Sequence, residues 1–222
     1  MENIDGNKMN SILDWVYEKI LSGLPGAYSA EELANKYVEK YKDEDKAINK
    51  LVKAQLNKTG TSGFITGLGG IATLPVALPA NITSVVYVQM RMIAAIAYIR
   101  RYSLENEEVK TLVYLCLTGQ TANDILKDLG VKMAQSVGKS QLKRIPSDVL
   151  LKINQKVGFR LVTKFSEKGL INLGKMVPML GGVIGASFDI ASTKAIAEIA
   201  KKTFTSIPLN GDEDNAGAVI VR

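Results

Sequence analysis

Two charged residues lie within long uncharged stretches of the sequence, and this position makes them the first candidates for chemistry. Arg91 follows a run of 32 uncharged residues, 59–90, and Asp189 follows a run of 13, 176–188. An unpaired charge in an apolar core is strongly unfavourable, so such residues pair, reach solvent or bind a ligand. We expect Arg91 and Asp189 to meet across two core helices, either fixing the register of the helices or contributing to a ligand site. The polar residues that could join this pair are Gln89, Asn81, Asn172 and Lys194.

The residue types that most catalytic sites require are missing or poorly placed. The sequence has no histidine and one cysteine, which argues against His-dependent catalysis, disulfides and nearly all transition-metal sites. Gly138-Lys139-Ser140 matches the end of a phosphate-binding loop, but Met133 stands where that motif needs its first glycine. Cys116 lies in an apolar stretch and is expected to be an inert core thiol. We therefore predict no catalytic residue, no metal and no cofactor.

Basic residues are concentrated in the second half of the sequence. The chain carries a net charge of +6, and the 44 residues from Lys132 to Lys175 hold 10 basic residues against Asp148 and Glu167. Such a surface suits an anionic partner, such as lipid headgroups, a phosphorylated ligand or nucleic acid, although lysine-rich solvent faces are also common. We favour an anionic membrane surface over nucleic acid. The residues assigned to this surface are Lys132, Lys139, Lys143, Arg144, Lys152, Lys156 and Arg160.

The elements that would hold these residues have the spacing of helices. Apolar residues recur at helical intervals over 11–24, with Asn10 or Ser11 as the cap, and Ser29 with Glu32 has the spacing of a capping box. Two amphipathic helices, or one kinked helix, follow to about Lys58. Further helical patterns cover 107–118, 121–137, 147–166 and 167–175. We predict an all-α fold consisting of a single compact multi-helix domain.

Two glycine-rich apolar segments stand out within this helical pattern. Each leads into a helix rich in Ala and Ile, one ending at Arg100-Arg101 and the other within 176–204. Glycines four apart allow helix backbones to approach closely, a device favoured in membranes. We expect both segments to lie in the core, and the sequence leaves open whether they insert into a bilayer. The glycines assigned to helix packing are Gly63, Gly67, Gly181 and Gly185.

The termini differ in character from the rest of the sequence. The first ten residues are polar and do not have the pattern of a secretory signal peptide. We divide the chain into a helical domain over 1–208, with amphipathic helices at about 8–58 and a core at about 59–208, and a flexible acidic tail over 209–222. A cytoplasmic protein at the inner face of the cell membrane is the expected location.

The combination of motifs resembles the EcsC protein family. The resemblance rests on the glycine-rich segment and following apolar helix at 62–102, on INQKVGFRLVTKF at 153–165, and on the proline- and glycine-containing helix pair at 176–204. It implies a bacterial, helical protein associated with membranes, in a family that accompanies transporter operons and defence systems, with no established enzymatic residues. Arg91 and the Gly and Pro positions are the family-like residues. Arg101-Tyr102-Ser103 departs from the usual glycine-containing turn.

Three functions are compatible with the composition and the resemblance. The first is a membrane-associated interaction or effector protein, acting on the membrane in antiviral defence. The second is an accessory regulator that binds a membrane complex such as an ABC transporter through protein contacts. The third is a lipid or peptide hydrolase, which the absence of histidine disfavours. Homo-oligomerisation is left open by the sequence.

Overall fold

The fold is built from helices throughout the part of the chain that can be described. The computed structural model describes residues 5–59, 80–130, 145–165 and 184–205. Within these ranges the backbone forms eight α-helices and one short 3-10 helix, with no strand, which confirms the predicted all-α class. The helices are α1 Gly6–Ser22, α2 Ala30–Tyr41, α3 Glu44–Thr59, α4 Ala80–Ile99, α5 Glu107–Leu117, α6 Ala122–Asp128, α7 Ser147–Phe165 and α8 Ile184–Thr203, with the 3-10 helix at Gly119–Thr121.

The first helix begins earlier than the sequence pattern indicates. The side chain of Asp5 accepts a hydrogen bond from the backbone N–H of Lys8 at 2.8 Å and caps α1. The predicted cap at Asn10 or Ser11 is therefore wrong, because an acidic cap outside the apolar stripe starts the helix first. The helix ends at Ser22, two residues before the end of the predicted pattern over 11–24, next to Gly23, whose φ of 78° favours glycine.

The next two helices form a hairpin with well-defined ends. Ser29 and Glu32 form the predicted capping box, since the Ser29 side chain accepts from Glu32 N–H and the Glu32 carboxylate accepts from Ser29 N–H. Lys42 takes a left-handed conformation and ends α2, and Asp43 accepts from Lys46 N–H at the start of α3. Of the two alternatives that the sequence left open, the structure shows two separate helices and not one kinked helix.

Helix α4 occupies the centre of the domain. It packs against α1, α2, α3, α5 and α8, and nearly every side chain from Thr83 to Ile99 is buried. At its end Arg101 adopts a φ of 66°, and the N–H of Tyr102 donates to the carbonyl of Ala97 at 3.0 Å. The turn forms without glycine because Arg101 itself adopts the left-handed conformation, beside an ion pair with Glu44.

The remaining helices complete the bundle around α4. Helix α6 ends at Asp128, with Gly130 at a φ of 66°, so the predicted helix over 121–137 is wrong in its extent. Helix α7 packs on α1, α5 and α6, and α8 packs on α3, α4 and α5. The predicted helix over 167–175, most of both glycine-rich segments and the predicted tail over 209–222 lie outside the described residues.

Candidate functional site

Arg91 is the largest buried charged side chain of the central helix. It is 2% exposed, its Nη1 donates to the backbone carbonyl of Tyr28 at 3.0 Å, and its guanidinium lies 5.1 Å from the centre of the Tyr87 ring. Its Nε is buried without a hydrogen-bond partner. Burial lowers the pKa of Arg91, and the neighbouring Tyr87 partly opposes that effect. Among the described residues, the guanidinium thus contacts a carbonyl and an aromatic ring, both of which are neutral.

The carbonyl that Arg91 binds belongs to the tight loop between α1 and α2. Leu24 and Ala27 exchange backbone hydrogen bonds around Pro25 and Gly26, and Gly26 has the positive φ of a type II turn. The loop borders an open concavity of about 650 Å³. Arg91 therefore joins the end of this loop to α4, and this hydrogen bond holds the chain in its path between α1 and α2.

The polar residues predicted to surround Arg91 are distributed over different contacts. Gln89 is buried, and its Nε2 donates to the Oγ1 of Thr193 on α8 at 3.0 Å, so Gln89 and Arg91 bind different elements. Lys194 is exposed. The side chains of Asp189, Asn81 and Asn172 lie outside the described residues, and the Arg91–Asp189 pair stays a prediction.

The predicted basic surface is described only along α7. Lys132, Lys139, Lys143 and Arg144 lie outside the described residues. Two of the remaining three are already in ion pairs: Lys152 with Asp148 at 3.1 Å within α7, and Lys156 with Asp128 of α6 at 3.0 Å. Arg160 is exposed and makes no ion pair with a described carboxylate.

Exposed apolar side chains accompany these basic residues, and the sequence reasoning missed them. Leu151 is 59% exposed and Phe159 is 66% exposed, each immediately before a basic residue. The opposite side of α7 carries Ile153, Val157 and Leu161, all buried. In the sequence, apolar residues of α7 lie on two faces of the helix. A search for a single apolar stripe does not distinguish the exposed face from the buried one.

The tightest described helix packing involves a different glycine from those predicted. A Cβ on Gly158 of α7 would lie 2.5 Å from the Oδ1 of Asn10 and 2.7 Å from the carbonyl oxygen of Gly6. Helices α1 and α7 therefore approach too closely for any side chain at this position. Of the four predicted glycines, Gly63, Gly67 and Gly181 lie outside the described residues, and only the backbone of Gly185 is described, as part of α8.

Reactive and metal-binding groups do not assemble in the described ranges. Cys116 is buried, its thiol donates to Thr203 Oγ1 at 3.6 Å, and burial raises its pKa to about 12. The predicted core position of Cys116 is confirmed, and the raised pKa disfavours the thiolate, which is the reactive form. No group of three or more His, Cys, Asp or Glu side chains in these ranges could hold a metal ion. None of the helices placed by the structure combines the length and apolarity that crossing a bilayer demands.

Comparison with known proteins places the chain in a family. Searches against curated proteins and against solved structures gave no match. The EcsC protein family model matches residues 7–206 of the 222 residues, and this range contains the eight described α-helices except the first residue of α1. The chain therefore belongs to the EcsC protein family.

Proposed function

We propose that the protein binds the surface of an anionic membrane through the outer face of α7. This α7 outer face consists of Leu151, Lys152, Gln155, Phe159 and Arg160, all exposed. The observation that carries the proposal is the pairing of two large exposed apolar side chains with adjacent basic ones on a single helix. An interfacial helix combines these two features, because its apolar groups enter the acyl boundary while its cations contact the headgroups.

The energies of the two contributions are comparable. Fully burying a Leu or Phe side chain contributes about 1.5–3 kcal/mol, so Leu151 and Phe159 would each contribute somewhat less, since part of each is already covered. A basic residue near an anionic leaflet adds about 1 kcal/mol. Lys152 is bound to Asp148, but an exposed pair of this kind is worth less than about 1 kcal/mol, so Lys152 can exchange the carboxylate for a headgroup.

The fold supports contact with the membrane surface by a helix that is already formed. The inner face of α7 is packed against α1, α5 and α6, and Gly158 holds it tightly to α1. Binding therefore needs no refolding of α7, which avoids the entropy loss that a disordered segment incurs on ordering. We place the protein at the inner face of the cell membrane, as a membrane-associated interaction or effector protein.

Co-sedimentation with vesicles tests the electrostatic part of this proposal. We expect the full chain to bind vesicles of phosphatidylcholine and phosphatidylglycerol more strongly than vesicles of phosphatidylcholine alone. Binding should weaken with added salt, because exposed charges are screened over about 8 Å at physiological ionic strength. Charge reversal in Lys152→Glu/Arg160→Glu should reduce binding strongly.

A matched control separates the α7 outer face from overall charge. Lys194→Glu/Lys202→Glu changes the net charge equally on exposed residues of α8, outside the α7 outer face. Equal loss of binding in both double variants, or equal binding to neutral and anionic vesicles, would contradict the proposal. Release of a trapped dye from the vesicles would indicate that the bound protein also disrupts the membrane, as an effector would. A chain that binds no vesicles would favour the accessory regulator that contacts a membrane complex through protein.

A further inference from the structure

A second basic surface lies between α2 and α3, far along the sequence from α7. Side chains from one face of each helix line a concavity of about 270 Å³, here called the α2–α3 groove. Lys36 and Lys40 lie one turn apart on α2, and Lys50 and Lys53 lie one turn apart on α3. Four lysine side chains thus line one small concave volume from two sides, and the Lys36 ammonium lies 4.7 Å from the centre of the Tyr28 ring at its edge of the hairpin.

None of these four lysines makes an ion pair with a described carboxylate. Elsewhere in the described ranges, Lys110, Lys152, Lys156 and Lys201 each contact an Asp or Glu within 4.0 Å, whereas isolated exposed lysines such as Lys127 and Lys202 do not. Acidic residues are not scarce in this part of the sequence, because residues 1–56 contain 10 Asp and Glu against 8 Lys. The carboxylates near the hairpin turn are used instead: Glu44 and Asp45 bind Arg100 of α4.

The wall of the α2–α3 groove is aromatic. The rings of Tyr37 and Tyr41 stack along α2 with their centres 6.2 Å apart and 21° between their planes, and both side chains are half-buried. Lys40 and Lys46 hold their ammonium groups 5.5 Å and 6.0 Å from the centre of the Tyr41 ring. The tyrosines give the groove a firm side and hydroxyl groups that can donate hydrogen bonds.

We propose that the α2–α3 groove binds a ligand that carries a phosphoryl group with two or more negative charges. Four lysines that line one concavity without an ion pair to a described carboxylate repel one another and focus a positive potential, and a multiply charged anion relieves that repulsion. Lysine is an established phosphate binder that acts as a point charge. A lipid headgroup with a phosphomonoester and a free phosphorylated compound share this chemistry. The groove is a separate site from the α7 outer face, and the proposal does not depend on membrane binding by α7.

Calorimetric titration of the full chain with inorganic pyrophosphate tests the free-ligand source. We expect one pyrophosphate per chain, with an affinity that falls as salt is added. Lys36→Gln/Lys53→Gln removes one ammonium from each side and should weaken binding on the order of twentyfold, because each such contact contributes roughly fivefold. The matched control is Lys127→Gln/Lys202→Gln, which changes the same charge on exposed residues of α6 and α8 that are not among the residues lining the groove. Phe159→Ser should leave the pyrophosphate affinity unchanged.

Vesicles test the lipid source. If pyrophosphate does not bind, the groove variant should lose binding to phosphatidylcholine vesicles that contain phosphatidic acid, while the control variant keeps it. Phosphatidylglycerol lacks a dianionic phosphate, so vesicles that contain it at matched charge report binding by the α7 outer face alone. The groove variant should keep its binding to these vesicles. The proposal is overturned if neither probe binds, or if the groove and control variants lose the same affinity. Circular dichroism of each variant confirms that exposed Lys→Gln changes leave the helices intact.

Discussion

Helices α4 and α7 both carry basic residues, but their surroundings give those residues opposite consequences. In α4 almost every side chain is buried, and Arg91 lies among apolar groups with a backbone carbonyl and a tyrosine ring as its contacts. In α7 one face is buried and the other is open, and Lys152 and Arg160 lie in solvent beside Leu151 and Phe159. We expect Arg91 in the first setting to contribute to stability, whereas Lys152 and Arg160 in the second are exposed and accessible to a partner. Changes in the two helices should therefore separate stability from binding.

The largest effect is expected at Arg91. Arg91→Ala should lower the free energy of unfolding by about 3–5 kcal/mol, because it empties a large volume in the core and releases the Tyr28 carbonyl. Arg91→Met, which keeps most of the volume and removes the charge, should cost less than about 2 kcal/mol. Urea denaturation measures both. An equal fall in unfolding free energy for the two variants would show that the guanidinium makes stabilising contacts beyond the Tyr28 carbonyl and the Tyr87 ring.

A double-mutant cycle tests the predicted partner of Arg91. If Arg91 and Asp189 meet, each single Ala variant is destabilised and the double variant loses less than the sum of the two. Strict additivity of the unfolding free energies would mean that the two side chains do not interact. The sequence alone suggests this pair, and the cycle decides it without reference to the side-chain position of Asp189.

The buried side of α7 should respond next most strongly. Gly158→Ala should cost about 1–3 kcal/mol, since the new Cβ would meet the Gly6 carbonyl at 2.7 Å and backbone atoms cannot move aside freely. Asn10→Ala provides the control, because it removes the closer but more mobile contact. If Asn10→Ala fully rescues Gly158→Ala in thermal unfolding, the α1–α7 backbone contact is less tight than described.

A smaller effect is expected from the buried thiol of α5. Burial raises the pKa of Cys116 from about 9 to about 12, so its stabilising contribution is complete below about pH 9 and is lost as the pH rises towards 12. Between about pH 9 and 10.5 the thiol should account for about 1–2 kcal/mol of lost stability. Cys116→Ala should make the fall in unfolding free energy shallower over that interval. Parallel pH curves for the two proteins would show that Cys116 titrates alike in both states.

The smallest effect on stability is expected on the α7 outer face. Leu151→Ser and Phe159→Ser remove side chains that are mostly in water, so each should change the free energy of unfolding by less than about 0.5 kcal/mol. Urea denaturation of both variants beside the parent chain measures this. A loss comparable to that of Gly158→Ala would mean that these side chains are covered within the protein, which would remove the contrast between the two faces of α7.

Most of the described helices could be predicted from apolar spacing and capping residues. The sequence predicted the capping box of Ser29 and Glu32 and the helices α5 and α7. These features depend on residues within one or two turns of each other, so they are visible in the sequence. The start of α1 was not, since an acidic cap at Asp5 precedes the apolar stripe. The extent of α6 was also misjudged, because Gly130 ends the helix within a pattern that remains helical.

The candidate surfaces were less predictable because they depend on tertiary pairing. A count of basic residues cannot show that Lys156 reaches Asp128 of another helix, or that Lys36 and Lys53 border the same groove. Apolar content likewise gave no warning that Phe159 is exposed while Val157 is buried. Which lysines are neutralised and which apolar groups remain open is decided only when the helices pack.

The most direct test of the central claim compares Phe159→Ser with Leu21→Ser in binding to anionic vesicles. Leu21 is 37% exposed near the end of α1, 15 residues along that helix from Gly6 beside Phe159, which places it roughly 22 Å away. We predict that Phe159→Ser lowers the partition coefficient onto phosphatidylglycerol-containing vesicles about tenfold, a loss of about 1.4 kcal/mol, while Leu21→Ser binds like the parent chain. Parent-level binding by Phe159→Ser, with both variants folded, would contradict membrane contact through the α7 outer face.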